Sequence, residues 1–163
     1  MITTDPREVT SAAIYKTATY VKWPESILGS KDAPLRIAVF GVDPLGGRLD
    51  DALRSKKLGT HPFRALRFPG LEDLEECQIL FVPVAEEEQM PKLVEHYAGK
   101  PVLIVGESIA AAENGAGVAL YFENSKLHVA VNPEVLRAVR LELSSELIKL
   151  ARVVQTRKKV DDR

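Results

Sequence analysis

The chain has 163 residues, of which 45% are hydrophobic and 28% are charged, a balance typical of one globular domain. Its formal net charge of −1 gives no support for nucleic acid as a partner. No uncharged apolar run approaches the roughly 20 residues that a membrane span needs, which argues against membrane insertion. The single cysteine, Cys77, excludes an intramolecular disulfide and a cysteine-based metal site, and we interpret it as a small buried hydrophobe.

The first predicted element is a helix over residues 6–22. Apolar residues recur near helical spacing after Asp5-Pro6, which is a helix start signal. The helix should stop at Trp23, because the residue before a proline, here Pro24, avoids the helical region. Tyr20 and Trp23 at this end predict either a plug in the core or an interface anchor, since both residue types are enriched at hot spots.

A short apolar run then predicts a strand over Leu35–Phe40 that is buried on both faces. Gly41 ends this strand. Asp43 is the predicted N-cap and Pro44 the first residue of a helix over residues 44–56. A strand that leads into a helix through a glycine-rich turn is the first half of a βαβ unit.

The turn of residues 41–47 lies where α/β sheets place ligands, beyond the carboxyl end of a strand. It lacks the lysine and hydroxyl of a phosphate-binding P-loop, because Arg48 follows Gly47. It also lacks the dinucleotide fingerprint, since residue 43 is aspartate. We interpret its glycines as allowing a tight turn, with contact of Gly41, Asp43 and Pro44 to a small ligand or a partner as the alternative.

The remaining patterns predict strands and helices that alternate along the chain. The strands cover residues 63–68, 78–82, 101–105, 118–122 and 127–131, and the helices cover residues 85–97 and 108–113, with one helical turn in residues 71–76. The last two strands form a hairpin with a loop of about four residues. Asn132 caps a long final helix that has Pro133 at its first position and an apolar stripe as far as Val154.

This order predicts an α/β fold in a single domain. We expect a largely parallel sheet with helices on both faces, followed by a C-terminal antiparallel hairpin and the long final helix. The domain should cover residues 1–155, and residues 156–163 form a polar tail.

Ser108 raises one catalytic alternative. The segment that begins at Gly106 nearly matches a nucleophile elbow, and Ser108, Glu113 or Glu123, and His128 follow the serine–acid–histidine order of α/β-hydrolases. Ala110 replaces the last glycine of the motif, however, and the chain is short for that fold. We therefore interpret Ser108 as the N-cap of the short helix that follows it.

The three histidines carry no pattern of metal ligation. His61, His96 and His128 are scattered and lack ligand spacing, so no metal site is predicted. No cofactor and no catalytic residue is predicted either.

Several stretches resemble the YfiR-like family (DUF4154), and together they cover nearly the whole chain in the family's order. The first helix ends in the aromatic–Val–x–Trp–Pro motif, here from Tyr20 to Pro24. The strand and turn that contain Gly41, Asp43 and Pro44 are similar to the next block. Further blocks resemble residues 77–82, 102–107, 127–132 and 148–151.

The resemblance implies a non-enzymatic regulator, typically exported to the periplasm and often a homodimer. Such proteins hold a membrane-bound diguanylate cyclase inactive through its periplasmic sensor domain, which limits cyclic di-GMP and biofilm growth. The chain lacks the additional cysteines of some members, so redox control through an internal bridge does not carry over. Residues 1–6 have no basic or apolar targeting region, which fits either a cytoplasmic chain or a mature sequence without its signal peptide. The resemblance implies the second, and we therefore expect that a signal peptide has been removed.

We therefore expect a periplasmic regulatory protein that binds an inner-membrane diguanylate cyclase or sensor kinase. The predicted contact positions are the six that match the family motifs: Tyr20, Trp23, Pro24, Gly41, Asp43 and Pro44. The contact surface should include the aromatic end of the first helix or the exposed face of the final helix. A small serine hydrolase that uses Ser108, and a small-ligand receptor that uses the 41–47 turn, are the alternatives.

Overall fold

The structure is a computed structural model that describes residues 5–157. Most of the predicted polar tail, from residue 158 onward, lies outside this part, as do residues 1–4. The described residues form a mixed α/β domain around one sheet.

The helices are short except for the first. They are α1 (Pro6–Tyr20), α2 (Glu25–Leu28), α3 (Arg48–Leu53), α4 (Met90–His96), α5 (Ile109–Glu113), α6 (Pro133–Ala138) and α7 (Ser145–Leu150). Two 3₁₀ segments cover Leu71–Asp73 and Val84–Gln89. The second of these replaces the first half of the helix predicted over residues 85–97.

The strands belong to one large sheet and one two-stranded ribbon. They are β1 (Val21–Lys22), β2 (Leu35–Phe40), β3 (Lys57–Leu58), β4 (His61–Phe68), β5 (Ile79–Phe81), β6 (Leu103–Gly106), β7 (Val118–Glu123), β8 (Lys126–Val131), β9 (Glu142–Leu143) and β10 (Arg152–Val153). Among the described residues the large sheet has the order β10-β8-β7-β6-β5-β2-β4-β3, and β1 pairs with β9 in the ribbon.

The centre of the large sheet is parallel, as predicted. The strands β4, β2, β5, β6 and β7 run in the same direction, and β8 returns antiparallel to β7. After β2 the chain adds β4 on one side and then crosses to add β5 on the other side. The carboxyl ends of β2 and β5 therefore form a topological switch point.

Helices cover both faces of the sheet, which confirms the predicted layers. On one face, α1, α3, α6 and α7 contribute Ile14, Leu49, Leu136 and Leu147 to the larger core, together with Val39 and Phe81 of the strands. On the other face, Met90 and Leu93 of α4 pack with Ala38 and Leu80. Alternate strand residues thus point to opposite cores. Both faces of the central strands are therefore buried, which explains why these strands are continuous apolar runs in the sequence.

The long final helix predicted from Pro133 onward is wrong. The helix α6 ends at Ala138, and Arg140 adopts a left-handed φ of 58°. The N–H of Leu141 donates to the carbonyl of Leu136 at 3.0 Å, and that of Arg140 donates to Arg137, which is a Schellman end. The chain then extends through β9 before α7 begins, because Leu141 and Leu143 are buried in an extended segment rather than on a helix.

Two other boundaries also differ from the prediction. The helix predicted over residues 44–56 begins only at Arg48, because Gly46 and Gly47 adopt left-handed φ values of 57° and 84° that a right-handed helix cannot contain. The hairpin loop is shorter than predicted. Asn124 and Ser125 alone connect β7 and β8, with φ of 53° and 64°, which are values of a type I′ turn.

Candidate functional site

Trp23 plugs the space at the end of α1. It is 9% exposed and belongs to the larger core with Ile14 and Ala18. Its Nε1–H donates to the carbonyl of Ala18 at 3.1 Å. This burial favours the core plug over the interface anchor, while Tyr20 and Pro24 beside it stay partly exposed.

The end of α1 lies directly against the segment that leads into α7. The strands β1 and β9 pair antiparallel, with Lys22 opposite Glu142. The N–H of Ser144, which is the N-cap of α7, donates to the carbonyl of Tyr20 at 2.7 Å. The two contact regions that the sequence predicts as alternatives, the aromatic end of the first helix and the final helix, are therefore joined in one region.

Apolar side chains are exposed immediately after this connection. Ile148, Leu150 and Val153 are 42%, 80% and 58% exposed, whereas Leu147 on the inner side of α7 is 5% exposed. Val153 lies on β10, which forms one edge of the large sheet as described. Isolated exposed apolar residues are ordinary, but three of them within residues 148–153, next to a sheet edge, favour an interaction surface.

We call this region the junction surface and define it by its partly or fully exposed side chains: Tyr20, Lys22, Pro24, Glu142, Ile148, Leu150 and Val153. Lys22 and Glu142 are neighbours in the ribbon of β1 and β9, with their charged atoms 3.6 Å apart. Because both side chains are well exposed, this pair contributes little to folding. The surface thus combines apolar side chains with a polar pair of opposite charge.

The turn of residues 41–47 is held by its own contacts. Gly41 has a left-handed φ of 81°, and its N–H donates to the carbonyl of Phe68 at 2.9 Å. One carboxylate oxygen of Asp43 accepts from the N–H of Leu45 at 2.7 Å, which turns the chain but does not cap a helix. Pro44 is exposed. These contacts fit the interpretation of a tight turn, and contact of this turn with a partner stays a prediction.

Arg67 completes this turn, and sequence reasoning missed it. The guanidinium donates to the second oxygen of Asp43 at 2.7 Å and also contacts Asp50 of α3. The hydrogen bond from Arg67 lowers the pKa of Asp50, and Asp50 in turn raises the pKa of Arg67. The alternation of β4 could have predicted this contact. Arg67 lies on the same inward face of the strand as Phe63, and a partly buried cation there needs a carboxylate partner.

Ser108 caps α5, as predicted. Its Oγ accepts from the N–H of Ala111 at 3.0 Å and donates to the carboxylate of Glu87. His128 instead lies on β8, where its ring stacks on Tyr121 with centroids 5.5 Å apart. No contact of the described residues joins Ser108 to His128, so the hydrolase alternative gains no support.

Glu107, beside Ser108, is a further residue that the sequence reasoning did not select. Burial raises the pKa of Glu107, although its carboxylate accepts from the N–H of Val84 at 2.9 Å. This bond ties the loop after β6 to the 3₁₀ segment after β5. We assign Glu107 a structural function at this edge of the sheet.

Neither a metal centre nor a membrane span emerges from residues 5–157. Within this part no group of three or more His, Cys, Asp or Glu side chains could hold a metal ion. No helix there is long and apolar enough to cross a membrane.

Comparison with known proteins identifies a family and shows the fold. The family model described as DUF4154, YfiR/HmsC-like, matches residues 7–152. No curated protein matches the chain at a significant level.

Two solved structures have a similar fold. A conserved domain protein from Vibrio cholerae O1 biovar El Tor strain N16961 has a TM-score of 0.59 and 11% sequence identity, over 91% of this chain and 60% of that chain. The ABC domain from Streptococcus pneumonia, solved in complex with L-Trp, has a TM-score of 0.56 and 9% identity, over 74% of this chain and 55% of that one. The chain therefore spans 60% or less of the length of these two, and identities this low show the fold alone.

Proposed function

The chain belongs to the YfiR/HmsC-like family, and we propose that it is a non-enzymatic regulatory protein of the periplasm. In this proposal it binds the periplasmic sensor domain of an inner-membrane diguanylate cyclase and represses the production of cyclic di-GMP. The observation that carries the proposal is the family match over residues 7–152. A sensor kinase as the partner is the alternative.

The junction surface is the proposed contact region. Leu150 is 80% exposed, and burial of such a side chain in an interface would contribute roughly 1.5–3 kcal/mol. Lys22 and Glu142 supply the charged part of the junction surface, and exposed charges in an interface favour correct orientation more than affinity.

Of the six positions that match the family motifs, Tyr20 and Pro24 lie on this surface. Trp23 supports the surface from inside the core, where it packs under the end of α1. Gly41, Asp43 and Pro44 form the separate turn after β2, whose contact with a partner we propose as a second point of attachment. A homodimer is also proposed, from the family resemblance.

Capture from the native envelope tests this function. The tagged chain would be exported, recovered from the membrane fraction, and its partners identified by mass spectrometry. We expect recovery of a membrane protein with a periplasmic sensor and a cyclase domain, and a fall in cyclic di-GMP when the chain is expressed. Recovery of the chain alone, with export confirmed, would contradict the proposal. Sedimentation of the purified chain would test the homodimer separately.

A further inference from the structure

A cavity of about 580 Å³ opens at the amino end of the sheet, far from the 41–47 turn at the carboxyl end. Its walls come from α2, from the segment that enters β5, and from the end of α4 with the segment that enters β6. The lining residues that matter here are Ile27, Leu74, Gln78, Tyr97, Lys100 and Val102. The volume lies within the range of pockets that hold small molecules.

Gln78 is the buried polar group of this cavity. It is 4% exposed, and its Oε1 accepts from the backbone N–H of Arg36 at 2.6 Å, which fixes the orientation of the amide. Its Nε2 has no hydrogen-bond partner among the residues that the structure describes. Because the described residues contain no buried side-chain N or O atom without a partner, Nε2 is accessible from the cavity, where an acceptor oxygen of an occupant can reach it.

The neighbouring polar groups are already engaged. The hydroxyl of Tyr97 donates to the carbonyl of Glu75 at 2.7 Å and accepts from the Cys77 thiol at 3.8 Å. Burial raises the pKa of Cys77 to about 12, so the thiol stays neutral. The inner wall of Cys77, Gln78 and Tyr97 therefore offers no charge, and its open side-chain donor is Nε2 of Gln78, whereas Ser26 and His96 lie at the exposed rim.

The remaining walls set the shape and the polarity of an occupant. Ile27, Leu74 and Val102 supply apolar surface, and Val102 is almost fully buried. Glu76 and Lys100 are exposed and carry opposite charges at the rim. An occupant with an apolar body and one polar head that accepts hydrogen bonds matches both parts of the cavity.

We propose that this cavity binds an amphipathic small molecule whose carbonyl or carboxylate oxygen accepts a hydrogen bond from Nε2 of Gln78. The apolar body of the ligand packs against Ile27, Leu74 and Val102. The proposal does not depend on regulation of a cyclase, because it concerns binding to the isolated chain.

Three probes with one apolar body and different heads test it: 4-butylbenzoate, 4-butylbenzamide and 4-butylbenzylamine. The first two carry an acceptor, whereas the third offers only donors. Trp23 is the only tryptophan of the chain and comes shortly before Ile27 of the cavity wall, so its fluorescence should report binding. We expect saturable one-to-one binding of at least one acceptor probe, confirmed by calorimetry, and none of the amine. No saturation by either acceptor probe, or equal binding of the amine, would overturn the proposal.

Variants locate the binding. Gln78→Glu keeps the oxygen that accepts from Arg36 and removes the donor, so at about pH 8 affinity for the acceptor probes should fall about tenfold or more. Gln155→Glu, which makes the same change at an exposed position, should bind like wild type. Ile27→Phe narrows the cavity and should weaken binding as well, which provides a second variant if Gln78→Glu does not fold. Unchanged affinity in the folded variants would overturn the proposal, and failure to capture a cyclase would not affect it.

Discussion

The backbone N–H of Ser144 donates to the carbonyl of Tyr20 at 2.7 Å, which fastens the start of α7 to the end of α1. The two residues are far apart in the chain, and the short ribbon of β1 and β9 holds them together. Because this connection uses backbone atoms, side chains on the outer side of α7 remain available for contact. The junction surface is thus rigidly attached to the core through Trp23, which lies under it.

Leu150→Asp should abolish capture of the membrane partner and leave folding nearly unchanged. Leu150 is 80% exposed, so the change exposes no core, while a charge in an apolar interface is costly. The measurement is envelope capture together with the melting temperature. Phe122→Asp is the matched control, because Phe122 is 40% exposed and lies outside both the junction surface and the 41–47 turn. Equal capture by both variants would show that the contact lies elsewhere.

Trp23→Ala should destabilise the fold by about 3–5 kcal/mol, because it removes a large side chain that is 9% exposed in the core. For a chain of this size that corresponds to a fall in melting temperature on the order of 10 °C. Trp23→Phe should lower the free energy of unfolding much less. If Trp23→Ala melts like wild type but no longer captures the partner, the interface anchor is correct and the core plug is wrong.

The contact of Arg67 with Asp50 should make the free energy of unfolding depend on pH in the acidic range. The pKa of Asp50 lies below its ordinary value of 3.8 in the folded state, so the unfolded chain takes up this proton first as the pH falls. The stabilisation by Arg67 is therefore present above about pH 4 and is lost as the pH falls through the folded pKa. Arg67→Met should reduce the difference in melting temperature between about pH 7 and about pH 3.

Arg64→Met is the control for this prediction, since Arg64 is exposed on the same strand and no ion pair of the described residues involves it. If the melting temperature of Arg67→Met falls with pH as much as that of wild type, carboxylates other than Asp50 would determine the acid sensitivity of the fold.

Cys77 should be inert in the folded protein. The thiol is 2% exposed, and burial raises its pKa to about 12, so almost no thiolate forms at about pH 8. A thiol reagent such as Ellman's reagent should react slowly with the native chain and at the rate of a free thiol after unfolding in urea. Rapid reaction of the native chain would show that the amino-end cavity admits reagents as far as Cys77.

Local signals in the sequence predicted much of the fold. The strand Leu35–Phe40 has the predicted bounds, because a short apolar run that ends at a glycine is decided by nearby residues. The caps Ser108 and Asn132 were also predicted correctly, since a cap bonds to N–H groups two or three residues ahead. Burial of Cys77 was predicted correctly as well, because it directly precedes an apolar strand.

The sequence by itself determined the family, the parallel α/β core and the helix caps Ser108 and Asn132, because these depend on the order of local patterns. Only the tertiary structure decided three other features. Leu143 fits both a helical stripe and an extended segment, and pairing of β9 with β1 selected the second. The partner of Asp43 is Arg67, and the partner of Gln78 is Arg36, at separations where no spacing rule applies. These features depend on contacts between residues that are far apart in the chain. Such contacts contribute free energy only once folding has brought the residues together.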